Sequence, residues 1–99
     1  MIYETVTRHT ISILPPGHKR RRYYQINVTM IGTDWIIEHL GEWYHRGGEW
    51  VPPMSTSFVD CAFAGETEAL ETARHLAPGV QGGNGRAALD VLNEQDTRA

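Results

Sequence analysis

Between residues 22 and 31 hydrophobic and polar positions alternate strictly, with Tyr24, Ile26, Val28 and Met30 set against Tyr23, Gln25, Asn27 and Thr29. Successive side chains of a strand point to opposite faces, so this period of two predicts a strand with one buried and one wet face. Residues 2–14 are rich in Ile, Val, Tyr and Thr and also suit a strand, but their apolar positions change parity. Ile2 and Val6 fall on one face and Ile11 and Ile13 on the other, which a bulge near Arg8-His9 reconciles. Pro15-Pro16-Gly17 ends this segment, because proline removes a ladder donor and glycine permits a reversal.

After a turn at Gly32-Thr33-Asp34, residues 35–40 (Trp-Ile-Ile-Glu-His-Leu) fit a strand or a short helix capped by Thr33. A strand is preferred, because Gly41 breaks the helical pattern. Trp43 to Arg46, Gly47-Gly48 and Glu49 to Val51 then have the form of a two-residue hairpin. Pro52-Pro53 ends that ladder, leaving residues 54–60 as loop or a short edge strand. From Gly65 the period becomes 3.6: Ala69, Leu70, Ala73, Leu76 and Ala77 form one apolar stripe, while Glu68, Glu71, Thr72 and Arg74 take the wet face. Gly65 or Thr67 caps this helix, its acidic first turn complements the helix dipole, and Pro78-Gly79 closes it.

The chain therefore predicts an α+β fold, an antiparallel β-meander of about four strands packed by one amphipathic helix, plus a short C-terminal helix. The expected organisation is a single domain over residues 1–78, with its sheet in 2–60 and its helix in 66–77. A flexible Gly-rich linker follows over 79–86, then a helix over 87–95 with Ala88, Leu89, Val91 and Leu92 on its apolar side. The 99 residues allow one thin core, since a chain of this size buries about 60 to 65% of its unfolded surface. The 40% hydrophobic and 21% charged content is that of a globular chain, neither disordered nor coiled coil. No apolar run is long enough for a membrane span and the N-terminus has no signal-peptide pattern, so a soluble, cytoplasmic protein is expected. The lone Cys61 allows no internal disulfide and no Cys-rich zinc site.

Charge changes the picture more than composition does. Residues 1–33 carry Arg8, Lys19, Arg20, Arg21 and Arg22 against Glu4, a balance of +4. Residues 34–73 carry eight carboxylates, Asp34, Glu38, Glu42, Glu49, Asp60, Glu66, Glu68 and Glu71, against Arg46, a balance of −7. The chain is bipolar in sequence, and adjacent strands decide whether it is bipolar in space.

The five histidines lack the His-x-x-x-His spacing of a helical metal site, and no paired cysteines accompany them, so neither metal nor cofactor is expected. Cys61, between Val59-Asp60 and Ala62-Phe63, reads as a small buried residue rather than a nucleophile. Glu66, Glu68 and Glu71 follow from helix N-terminal preference without invoking a catalytic carboxylate pair. The glycines of 79–85 lack the Lys-Ser/Thr of a phosphate-binding loop. No catalytic apparatus is present, and a non-enzymatic chain is expected. The run His18-Lys19-Arg20-Arg21-Arg22-Tyr23-Tyr24 combines phosphate-seeking charge with stacking rings, the ingredients of nucleic-acid binding. The same run equally suits an acidic protein surface, or a solvated loop that guards an edge strand. Trp35, Trp43, Trp50, Tyr44 and Phe58 make the middle third aromatic; pointing outward they are partner anchors, pointing inward they are core.

The meander followed by Phe63-Ala64-Gly65-Glu66-Thr67-Glu68-Ala69-Leu70-Glu71-Thr72-Ala73 resembles two groups of small proteins. One is the anti-CRISPR type of phage and mobile-element protein; the other is the HicB-type antitoxins, in which a sheet leads into a similar helix start. The first resemblance implies an inhibitor that binds a protein partner, such as a CRISPR effector subunit, and blocks its nucleic-acid-binding surface. Glu66, Glu68, Glu71, Trp43 and Trp50 are the expected partner contacts. The second implies a nucleic-acid-binding or antitoxin module using residues 18–24, with Lys19, Arg20, Arg21, Arg22 and Tyr23 as contacts. A homodimer through the apolar tail helix is a further expectation.

Overall fold

The computed structural model describes residues 5–97, with the side chains of 95–97 left aside. Five strands form one antiparallel sheet in sequence order: β1 (Arg8–Ile11), β2 (Ile26–Ile31), β3 (Asp34–His39), β4 (Glu42–His45) and β5 (Glu49–Val51). Three helices follow: α1 (Phe58–Cys61), α2 (Glu66–Leu76) and α3 (Ala88–Thr97). The α+β class and the meander agree with the sequence pattern, with one strand more than the four expected.

Local chemistry accounts for the turns. Ile31 pairs with Asp34 across Gly32-Thr33, and Gly32 supplies a left-handed φ of 66°. His39 pairs with Glu42 across Leu40-Gly41, where both central residues have positive φ, 48° and 84°. Such a turn matches the twist of the flanking strands and favours Asn-Gly, so a leucine there sits at a local energetic cost. The Gly47-Gly48 hairpin differs from expectation by one residue: His45 pairs with Glu49, leaving Arg46, Gly47 and Gly48 as a three-residue loop. Gly48, at φ 110°, lets that loop close through its N–H to the His45 carbonyl at 2.9 Å.

The ladder of β1 runs without offset from Arg8 opposite Thr29 to Ile11 opposite Ile26, so no bulge stands at Arg8-His9. His9 and Ile11 share the face of Val28 and Ile26, while Val6 is exposed and Ile13 lies beyond the strand end. The parity change marks where the ladder stops. Ile2 and the start of the expected strand lie outside the described residues. The strand expected from residue 22 begins at Ile26, because Arg21–Tyr23 forms a 3-10 turn.

Residues 35–39 are strand, as preferred, and Leu40 opens the turn that follows. The absence of alternation has a structural cause: Trp35, Ile36 and Ile37 are all buried, because β3 is central and covered on both faces. Directly opposed residues share a face. One face carries Ile26, Val28, Trp35 and Ile37 and holds the main core with Leu14, Tyr24, Phe63 and the alanine stripe Ala69, Ala73 and Ala77 of α2. Alanine at these positions brings the helix axis close to the sheet. On the other face α1 lies against β4, and the edge of Phe58 meets the Trp43 ring at 6.2 Å between centroids. This one-turn helix replaces the loop or edge strand expected over 54–60. Phe63 then exchanges two hydrogen bonds with Trp35, at 2.7 and 2.8 Å, beside the half of β3 that β4 does not reach. There the chain crosses the sheet edge to start α2.

The tail also departs from expectation. Residues 79–86 are not a free linker: Val80 is buried in the main core, Ala88 N–H donates to the Val80 carbonyl at 2.9 Å, and Gln81 bridges Ala87. Ala88 and Val91 belong to that core as well, so α3 is part of the domain. At Gly82 a Cβ would lie 2.8 Å from the Tyr24 hydroxyl, so only glycine allows this segment to lie on Tyr24.

Candidate functional site

The basic run is an ordered turn rather than a loose hairpin tip. His18 N–H donates to the Pro15 carbonyl at 2.9 Å, and Arg21, Tyr23 and Tyr24 N–H follow onto His18, Arg20 and Arg21 carbonyls at 3.1, 3.0 and 2.9 Å. His18 Nδ1 accepts from Arg20 N–H at 3.0 Å. The turn is pinned to the sheet where His39 Nε2 meets the Tyr23 carbonyl at 2.8 Å.

The four cations separate into different roles. Arg21 is half-buried and its Nε donates to the Leu14 carbonyl at 3.0 Å, which makes it a bracket for the turn. Arg22 lies over the Tyr23 ring at 4.7 Å and donates to its hydroxyl at 2.6 Å. Lys19, Arg20 and Arg22 are exposed, and among the described residues none has a carboxylate within ion-pair distance. Tyr23 is exposed beside them, and Leu40 stands exposed on the turn that follows His39.

Behind the turn lies a half-open cleft of about 220 Å³ lined by Arg20, Tyr23, Tyr24, Gly82, Gly83 and Asn84. The buried Tyr24 hydroxyl donates to Asn84 Oδ1 at 3.2 Å, and Arg86 N–H donates to the same oxygen at 3.0 Å. An N–H donor requires an acceptor, so the Asn84 amide is oriented with its Nδ2 outward, without a hydrogen-bond partner among the described residues. Sequence patterning missed this wall, because Gly82-Gly83-Asn84 read as linker. Gly-Gly-Asn-Gly was the available signal, a run suited to folding back tightly on a ring.

The acidic residues are elsewhere. Glu66, Glu68 and Glu71 are exposed on α2. Glu66 Oε2 approaches His9 Nε2 at 3.5 Å, and the His9 ring tilts against Trp35 at 5.7 Å. Contacts of the basic turn fall on His39, at the end of β3, and those of Glu66 lead to Trp35, near its start. Four strand residues, about 13 Å, separate them along the sheet. The start of α2 and the basic turn therefore meet opposite ends of β3, and neither end carries one sign of charge: Glu42 opposes His39 at the basic end, and Arg8 opposes Thr29, itself opposite Ile36, near the Trp35 end.

The aromatic middle third is neither a single patch nor wholly core. Trp43 opposes Val51 on the α1 face, and Trp50 opposes Tyr44 on the α2 face. Trp50 packs on Tyr44 and His39 at centroid distances of 5.4 and 5.7 Å. The two tryptophans therefore cannot serve one flat partner surface with Glu66, Glu68 and Glu71. Arg46 donates from its N–H and Nε to the Asp60 carbonyl and from Nη2 to the Val59 carbonyl at 2.9 Å. It closes the C-terminal end of α1, where cations are favoured.

Cys61 is buried, with Thr56 Oγ1 at 3.7 Å from its sulfur. Among the described residues no group of three or more His, Cys, Asp or Glu side chains could hold a metal ion, and no helix is long and apolar enough to cross a membrane. Comparisons with protein-family models, with curated proteins and with solved structures find no match to this chain.

Proposed function

We propose that the protein is a non-enzymatic binding module that acts in the cytoplasm and takes an anionic strand, a single-stranded nucleic acid, on its basic end. The observation that carries this reading is the ordered 18–24 turn, which presents Lys19, Arg20 and Arg22 without carboxylate partners beside an exposed Tyr23. A fixed turn loses less entropy on binding than a mobile loop. Cations beside a ring supply the two general contributions to strand binding, phosphate neutralisation and stacking. A HicB-like antitoxin module using the same turn belongs to this reading.

Anisotropy titrations with a labelled single strand at several salt concentrations test it. Three phosphate contacts predict a log-log salt slope near about −2. Neutralising Lys19, Arg20 and Arg22 to Gln together should abolish binding. No binding at low salt by the native protein, or a slope indifferent to the triple change, removes the reading.

The second reading is a phage or mobile-element inhibitor of the anti-CRISPR type that docks on a protein partner. It is favoured by the exposure of Glu68 and Glu71 on α2, neither of which has an ion-pair partner among the described residues, so that both can imitate phosphate charge. Pull-down with a CRISPR effector complex, repeated after Glu68→Lys and Glu71→Lys, tests it. Capture that survives both reversals would exclude the acidic face as the contact.

A further inference from the structure

We propose that the cleft between the basic turn and the Gly82-Gly83-Asn84 wall is a subsite for one unstacked nucleobase, which makes the basic end selective for single strands over duplex. The inference rests on the strand-binding reading and names what that surface recognises. Its size decides the occupant: about 220 Å³ lies below the roughly 300 to 1,000 Å³ of sites that enclose a whole small molecule, so it admits one ring system rather than a dinucleotide.

Its chemistry matches that occupant. The exposed Tyr23 contributes aromatic surface while the buried Tyr24 closes the floor, and Arg22 over the Tyr23 ring fixes that ring before any ligand arrives. The uncommitted Nδ2 donors of Asn84 suit a base-edge carbonyl or ring nitrogen. Arg20, at the same lining and free of carboxylates among the described residues, suits the phosphate attached to that base. Gly82 keeps the wall close to Tyr24, since a Cβ there would strike the ring at 2.8 to 3.3 Å. A paired base inside a duplex cannot enter a cleft of this kind, whereas a base splayed from a single strand can.

The test uses the full chain, a labelled ten-nucleotide single strand, a duplex of the same length, and adenosine 5′-monophosphate followed by amide chemical shifts. The first variant is Gly83→Leu, which adds a bulky apolar side chain at a lining residue: a Cβ at Gly83 meets nothing within 4 Å and its φ is not in the left-handed range, so the change introduces no strain. Tyr23→Ala, at an exposed position, is the second variant if the first melts early. The expected result is monophosphate shifts at Gly82 to Asn84, a single strand held about tenfold or more tightly than duplex, and loss of that preference in either variant. Equal, salt-dependent binding of strand and duplex, unchanged by Gly83→Leu, overturns the subsite and keeps the strand-binding reading. Monophosphate binding blocked by Gly83→Leu without any strand binding keeps the subsite and overturns that reading. No binding of either probe overturns both.

Discussion

The carboxylates of α2 and the cations of the basic turn are presented to solvent by different means. At the α2 end, Glu68 and Glu71 are exposed because a 3.6-residue period puts them opposite Ala69 and Ala73; a helix wheel suffices to place them. At the basic end, the availability of each cation depends on groups far away in sequence. Arg21 is held by Leu14, Tyr23 by His39, and Tyr24 by Asn84, sixty residues on. Surface built by one helix is robust to changes elsewhere. Surface built by three crossing segments shares its fate with the core, and substitutions separate the two cases.

The largest effect is expected at Tyr24, which is 1% exposed and forms the inner wall of the basic end. Tyr24→Ala should lower unfolding free energy by about 3 to 5 kcal/mol in urea titration, and remove strand binding in the fraction still folded. A loss under 1 kcal/mol would mean that the turn is not anchored by the core. Gly82→Ala comes next, at about 1 to 3 kcal/mol, because its methyl group must displace the Tyr24 ring. Wild-type melting for this variant would show the 79–86 segment free to move off the ring.

A gain is expected at Leu40. The Leu40→Asn change keeps the turn with Gly41 and relieves a left-handed leucine that is 52% exposed, raising stability by about 1 kcal/mol. Weaker strand binding alongside higher stability would mark Leu40 as part of the basic-end surface. The smallest effects belong to the carboxylates of α2. Glu71→Lys should change stability by about 0.5 kcal/mol or less, and Glu68→Lys by up to about 1 kcal/mol through the helix dipole. Thermal melts check both, and a larger loss would contradict the independence of the two ends.

The strand of residues 26–31 and the helix of 66–76 followed from local periodicity, because each buries one face, and the preference for strand at 35–40 followed from Gly41, which breaks the helical pattern. The three-residue Arg46–Gly48 loop did not, since a single residue in a turn sets register without altering any pattern. The one-turn α1 was missed because four residues carry no detectable period, and it is held by Trp43 and Arg46 rather than by its own propensity. Among the candidate contacts, Lys19, Arg20, Arg22 and Tyr23 were found as a cluster in sequence and stay one in space. Trp43 and Trp50 were grouped by composition, and strand alternation sets them on opposite faces.

By itself, then, the sequence determined the order of elements, the apolar faces that must be covered and the sign of charge carried by each stretch. These depend on neighbours within a few residues, where backbone geometry leaves little choice. Only the tertiary structure decided which cations remain free and that Gly82 to Asn84 are a wall rather than a linker. Those outcomes depend on contacts across 7 to 60 residues of chain, and no local pattern encodes which carbonyl, ring or amide a side chain meets at such separation.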